Sequence, residues 1–530
     1  MEEILRASWL DSLRACARAL ARLGDRIARD DRAVPGQWLG RLVLLRLLGL
    51  VYLMAFLTLI NQGPALIGTH GLLPATSFLD QVARQLGSRW AGFAELPSVF
   101  WLGAGDTALR VVGGVGVVLA LALLVGYANA LTLAVLCALQ ISIANVGQTF
   151  YGFGWELQLF ETGFLCIFLC PLLDARPFAR RPPPAAVIWL LRWLAVRIMW
   201  GAGLIKLRGD SCWRDLTCLD FHFETQPIPN PLSRFFHQLP HGVHAGGVLF
   251  NYLAELVAPF FVFGTRRMRL AAGVVMALLQ IVLIVSGNLA FLNWLTLVPI
   301  LACFDDGLWQ RLLPRRLVAR AAVARQAARP SSAQGVVVAV ATVLVVSLSV
   351  PVVLNLLSGS QVMNTSFTRL PFVNTYGAFG SVGRERLQLV FEGSRDARLT
   401  PETTWLAYQF KCQPGDPTRR PCWMSPYHYR LDWLLWFAAM GSPREYPWVV
   451  HLVSKLLDAD PATLALMGPD PFGGRRPHFV RVDLYRYRFA PRGSGDWWLR
   501  TRLDSWLPPL DRDDPRLRDL LEVQGWSKDQ

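Results

Sequence analysis

For two thirds of its length the chain alternates long apolar runs with short polar joints, and then the rhythm changes. Nine runs approach the length at which a helix can cross a bilayer, roughly 17 to 25 residues. They are residues 41–60, 111–126, 130–146, 155–173, 187–205, 248–263, 270–286, 288–304 and 336–357. The second and third are joined by GYANA (126–130), the seventh and eighth by SGN (286–288). Past residue 357 no run reaches that length. Period-two alternation in ERLQLVFEGS (385–394), TTWLAYQFKC (403–412) and FVRVDLYRYRFA (479–490) predicts strands. YRLDWLLWFAAM (429–440) and PWVVHLVSKLLDAD (447–460) predict amphipathic helices, and DSWLPPLDRDDPRLRDLLEVQGW (504–526) reads as a polar helix broken by prolines. The expected fold is a polytopic α-helical membrane protein of about nine spans (41–357) followed by an α+β domain (358–530).

Composition agrees with a membrane setting. Of 530 residues, 53% are hydrophobic and only 17% charged, against about 25% charged in soluble domains. Tryptophan (20) and phenylalanine (29) are abundant, as interfacial belts require. The net charge of +15 comes largely from arginine in short segments. No basic patch interleaves with aromatics on a soluble stretch, so nucleic acid is excluded as a partner. The first forty residues, with SLRACARALARLGDRIARDDR (12–32), lack the apolar core of a signal peptide and read as a cytoplasmic or interfacial amphipathic helix.

Arginine also orients the spans. It clusters in 1–40, in DARPFARRPPPAA (174–186), in GTRRMRL (264–270) and along 305–335. Nine spans with the N-terminus inside put all four segments on the cytoplasmic side. The loop 206–247 and the C-terminal domain then face the exterior or lumen. The membrane would be an inner membrane in a bacterium, which the Arg- and Ala-rich composition suggests, or the endoplasmic reticulum membrane in a eukaryote.

Four of the nine cysteines fall on the exterior side as two close pairs, Cys212 with Cys218 and Cys412 with Cys422. An oxidising compartment favours disulfides there. The first pair with His222 offers metal-ligand types, but the spacing matches no zinc pattern and no metal is assigned. The other five read as lone thiols.

Ionisable groups at membrane depth are candidate functional residues. Glu156 and Glu161 lie on the fourth span, Arg197 and Lys206 on the fifth. Counting depth along antiparallel neighbours pairs Glu156 with Lys206 and Glu161 with Arg197 to about one helical turn. Asn251 and Glu255 share a face of the sixth span, and Asn288 and Asn293 follow from the next hairpin. One reading is that these charges neutralise one another and join helices. The other is a polar cavity open to the exterior, able to hold a lipid and roofed by loop 206–247. In that loop Trp213, Arg214 and Asp215 are expected to dock the C-terminal domain, with His222 and Glu224 lining the cavity. The chain shows no phosphate-binding loop, nucleophile elbow, zinc-protease or CxxC motif, and no inverted repeat of a transporter.

Four long stretches closely resemble the lipase maturation factor family: GDSCWRDLTCLDFHFETQPIPNP (209–231), SGNLAFLNWLTLVPILACFDD (286–306), NTYGAFGSV (374–382) and FKCQPGDPTRRPCWMSPYHYRLDWLLWFAAM (410–440). The resemblance implies a multi-span membrane chaperone, without cofactor, that helps secreted lipase-like clients fold and assemble, with a lumenal C-terminal domain tied to client handling. A shorter likeness, GAGLIKLRGDSCW (201–213), is to the vitamin K-dependent γ-carboxylase superfamily. It implies an alternative, a membrane enzyme acting on a lipid or quinone-like substrate with Lys206 as base beside Glu156.

Overall fold

The computed structural model describes residues 36–526. The expected N-terminal amphipathic helix, with Cys16, lies almost wholly outside them. Among the described residues six helices are long and apolar enough to cross a membrane, so the chain is a polytopic helical membrane protein. They are α1 (Trp38–Ile67), α2 (Asp106–Val125), α5 (Ala185–Arg208), α6 with its continuation (His241–Phe263), α7 (Arg266–Ser286) and α9 (Ser332–Leu357). The other three expected spans fall on shorter helices: α3 (Ala130–Val146), α4 (Gly154–Ile167) and α8 (Leu292–Ile300), of 17, 14 and 9 residues. α4 stops six residues before the expected end of its span, and Gly287–Phe291 stays non-helical before α8.

α6 does not run as a plain α-helix. After Tyr252 it widens to a π turn, Leu253–Val257, and then tightens to a 3-10 segment, Ala258–Phe263. Pro259 has no N–H to donate to the preceding turn. The π turn, a feature common at functional positions, carries Glu255.

The C-terminal region forms an antiparallel sheet in the order β2-β1-β3-β4, from β1 (Arg386–Ser394), β2 (Leu406–Ala407), β3 (Phe479–Phe489) and β4 (Trp498–Leu510). β1 and β3 pair from Arg386↔Tyr487 to Ser394↔Phe479. The expected strand 403–412 shrinks to the two residues of β2 plus a bridge between Phe410 and Met467. The expected polar helix at 504–526 is corrected: its first part belongs to β4, and only α12 (Pro515–Val523) is helical. Pro508 and Pro509 misdirect the reading, yet β4 is an edge strand, where a missing N–H is tolerated. The helices α10 (Arg430–Ala438) and α11 (Pro447–Leu457) pack beside β1 and β3 respectively.

α10 and α11 also reach the bundle. One apolar core joins Leu48, Tyr52 and Phe56 of α1, Leu159 of α4 and Leu295 of α8 to Leu431 and Leu434 of α10 and Leu452 of α11.

Candidate functional site: a cavity between the bundle and the C-terminal region

The candidate charges Glu156, Glu161, Arg197, Lys206 and Glu255 resolve into three separate ion-paired systems. In the first, Arg197 donates to Glu161, both all but inaccessible. Glu161 also accepts from the backbone and side-chain N–H of Asn374, each at 3.0 Å, and from the Tyr376 hydroxyl at 2.6 Å. Several hydrogen bonds on one buried carboxylate are what make such a pair tolerable away from water. Asn374 and Tyr376 can reach because the chain returns along α5 after α9. Arg197 donates to Asn374 O (2.9 Å) and Gln361 to Gly201 O (3.0 Å). Gly201 and Gly209 permit this close approach, since a Cβ on either would meet the carbonyl oxygen of Tyr376 or of Gly380 at 2.1 or 2.2 Å.

The second system differs from expectation. Glu156 pairs with Arg430 of α10 at 2.7 Å, not with Lys206, and accepts from Gln140 at 2.6 Å. Arg430 also donates to Phe150 O (2.8 Å), and its guanidinium lies 3.6 Å from the Tyr151 ring centre. Gln62 of α1 completes the joint: it accepts from the Arg430 backbone N–H (2.9 Å) and donates to His428 O (2.6 Å).

In the third system Lys206 contacts both Glu255 oxygens at 2.6 and 2.8 Å and Asn251 Oδ1 at 3.0 Å. The ring centre of Trp213 is 5.1 Å from its Nζ. The pairing with Glu255 rather than Glu156 follows from the turn of α6 that lies against α5. Gly203 of α5 approaches the Glu255 Cβ so closely that its own Cβ would sit 3.0 Å away.

A cavity of about 720 Å³ opens between these systems. Lys206, Asn251, Glu255, Asn293 and His222 line it, whereas Glu156, Glu161, Arg197 and Asn288 do not. Its walls are mainly apolar, among them Phe153, Ile198, Leu283, Phe379 and Phe437, and they come from the bundle, from loop 206–247 and from α10. Burial pushes His222 down to about 4, with Lys206 adding to the effect, so the ring is neutral. Glu156 stands outside the wall that Lys206 lines, and the two residues do not form one acid–base unit.

The docking residues divide as well. Trp213 donates to Phe379 O at 2.8 Å, and Glu224 accepts from the Phe489 N–H at 2.7 Å. Arg214 is corrected: it is exposed and donates to Leu207 O of its own neighbourhood (2.8 Å). Asp215 is exposed too. A further tie of the loop to the sheet, at Arg386, carries no warning in the pattern. Arg386, fully buried, donates to the carbonyl oxygens of Glu224, Gln226 and Pro227 at 3.2, 2.6 and 3.0 Å. Asn288 donates to Cys422 O (2.9 Å) and accepts from the Met424 N–H (3.1 Å), which fixes the segment closed by Cys412 and Cys422. Both cysteine pairs are bonded, with Cα separations of 4.8 Å for Cys212–Cys218 and 5.4 Å for Cys412–Cys422. The first bond removes both sulfurs as thiolate ligands beside His222. Cys137, Cys166, Cys170 and Cys303 are free and buried. Among the described residues no cluster of three His, Cys, Asp or Glu is placed to hold a metal ion.

Comparison with known proteins follows the same division of the chain. A model of the lipase maturation factor transmembrane domain matches residues 39–311, and one of the lipase maturation factor C-terminal domain matches residues 372–508. Lipase maturation factor 1 of Bos taurus is 48% identical over 515 residues, 92% of this chain and 91% of that protein. The Homo sapiens protein of that name is 46% identical, covering 92% and 90%. Lipase maturation factor 2 of Rattus norvegicus is 30% identical over 598 residues, covering 90% and 83%. No solved structure matches the chain. With both parts matched by family models and near-half identity to lipase maturation factor 1 sustained across almost the full length of those relatives, the chain belongs to the lipase maturation factor family.

Proposed function

We propose that this chain is a membrane-embedded maturation factor that assists the folding and assembly of secreted enzymes of the lipase class. The observation that carries the reading is its identity to lipase maturation factor 1, sustained over more than nine tenths of the chain. The geometry supports it. The C-terminal region is fastened to one end of the bundle by Arg430–Glu156, Arg386 and the Asn288 clamp, a rigid platform against which a client can be held. In this reading residues 1–40 and the basic segments stay cytoplasmic, residues 41–357 are the membrane part, and residues 358–530 face the periplasm or the lumen of the endoplasmic reticulum. The platform then lies where secreted clients fold, and two disulfides suit that compartment.

Deletion of the gene in its host, followed by activity assays on each exported hydrolase, tests this. Specific hydrolases should persist as protein but lose activity. Complementation with Lys206→Met/Glu255→Leu, which removes the buried pair as a unit, should restore them, and Cys412→Ser/Cys422→Ser should not. An unchanged set of exported activities overturns the reading. Rescue by the cysteine variant with failure of a normally accumulated Lys206→Met/Glu255→Leu chain would transfer the function to the cavity.

A further inference from the structure

Three side chains on the cavity wall hold buried N–H groups with no protein acceptor. Trp155, Asn293 and Trp433 all line the cavity, with exposures of 7%, 2% and 3%. Trp155 Nε1, Asn293 Nδ2 and Trp433 Nε1 have no acceptor among the described residues. Buried donors are nearly always satisfied in folded proteins, so three around one space place a demand for acceptor oxygen there. The two indoles are neighbours, their ring centres 5.2 Å apart.

The charge of the wall narrows the chemistry. Lys206 is matched by Glu255, and Asn251 fills a further position on its ammonium. His222 is neutral. An anionic headgroup would therefore meet no free cation among the lining residues, whereas a neutral carbonyl oxygen needs only hydrogen-bond donors, which these three lining side chains carry. The remaining wall, with Phe153, Ile198, Leu283, Leu289, Phe379 and Phe437, suits a hydrocarbon chain.

We propose that this cavity binds an acyl-ester amphiphile. Its neutral ester carbonyls accept hydrogen bonds from Trp155, Asn293 and Trp433, and its hydrocarbon lies along the apolar wall. Two sources share this chemistry: a membrane glycerophospholipid with its headgroup left outside, and a neutral acylglycerol. The assignment is independent of client maturation and stands or falls separately.

The test uses the full chain purified in detergent from host membranes, with bound lipid extracted and counted by mass spectrometry. The parent should retain about one ester-linked lipid per chain, and its headgroup identifies the source. The apolar pair Trp433→Phe/Asn293→Leu should lower retention about tenfold through lost donors. Ala202→Phe, which fills the cavity, should abolish it. Helical circular dichroism and protease resistance report that each variant has folded. Equal retention in parent and folded variants overturns the site, as does a parent carrying no acyl lipid. Equilibrium dialysis of delipidated protein then compares methyl oleate with oleate. Preference for the ester supports the assignment, and equal or tighter binding of oleate overturns the neutral-ester chemistry.

Discussion

At one end of the bundle, Asp306 accepts from the backbone N–H groups of Trp38, Leu39 and Gly40 at 2.9, 2.8 and 3.1 Å, capping the start of α1. Asp305 beside it pairs with Arg266 (2.7 Å) and Arg269 (3.1 Å), and Arg192 donates to Ala302 O. Every one of these charges closes against another part of the bundle. At the opposite end Glu156 and Glu161 also reach beyond the last membrane helix, Glu156 to Arg430 and Glu161, besides its pair with Arg197 of α5, to Asn374 and Tyr376. A 720 Å³ cavity remains beside them. Similar residue types thus serve two purposes: helix capping and stapling at one end, attachment of a second structural unit around an open space at the other.

The sharpest way to break this contrast is Arg430→Ala. It leaves Glu156 buried without its cation, a change expected to cost about 3–5 kcal/mol, read as a lower melting temperature and faster proteolytic release of the C-terminal region. Adding Glu156→Leu should recover part of the loss. Unchanged proteolysis would show that apolar packing alone holds the joint. Next in size is Cys412→Ser/Cys422→Ser. Opening a loop of this length should cost about 2–3 kcal/mol and loosen the segment held by Asn288, seen as faster amide exchange at 422–425.

Acid should also act on the cavity end. His222 has a folded value of about 4, below the ordinary histidine value of about 6.5. The folded state therefore binds fewer protons between those values. The associated stability is present above pH 6.5 and lost as pH falls toward 4. Relative to His222→Phe, the parent should lose about 2 kcal/mol between pH 7 and pH 5, measured by paired melts. Equal slopes would remove His222 from the account. The smallest effect belongs to the capping end: Asp306→Ala should cost about 1 kcal/mol and leave proteolysis of the C-terminal region unaltered. Release of that region by this variant would erase the distinction between the ends.

How much of this is legible in the sequence depends on whether partners sit on neighbouring helices. Glu161 and Arg197 can be matched by depth because their helices follow one another in the chain. The same logic misleads for Glu156, whose cation arrives 274 residues later. The available signal was Arg430 itself, a lone cation leading into the apolar run LDWLLWFAAM. Lys206 finds Glu255 through a π turn that period counting treats as ordinary helix. β4 is hidden because its exposed residues, such as Arg500, Arg502 and Asp504, leave no apolar alternation to read. The cavity is invisible for a further reason: its lining comes from segments between Gly152 and Phe437, and no local pattern encodes a space.

The return of the chain along α5 bears on biosynthesis. Glu161 leaves the ribosome 213 residues before Asn374, and Glu156 waits longer still for Arg430. Chains are completed from the N-terminus onward, and earlier parts can fold before later parts exist. Here this end of the bundle can be finished only by residues translated after its last membrane helix, so assembly closes like a clasp and a chain terminated before them keeps that end open.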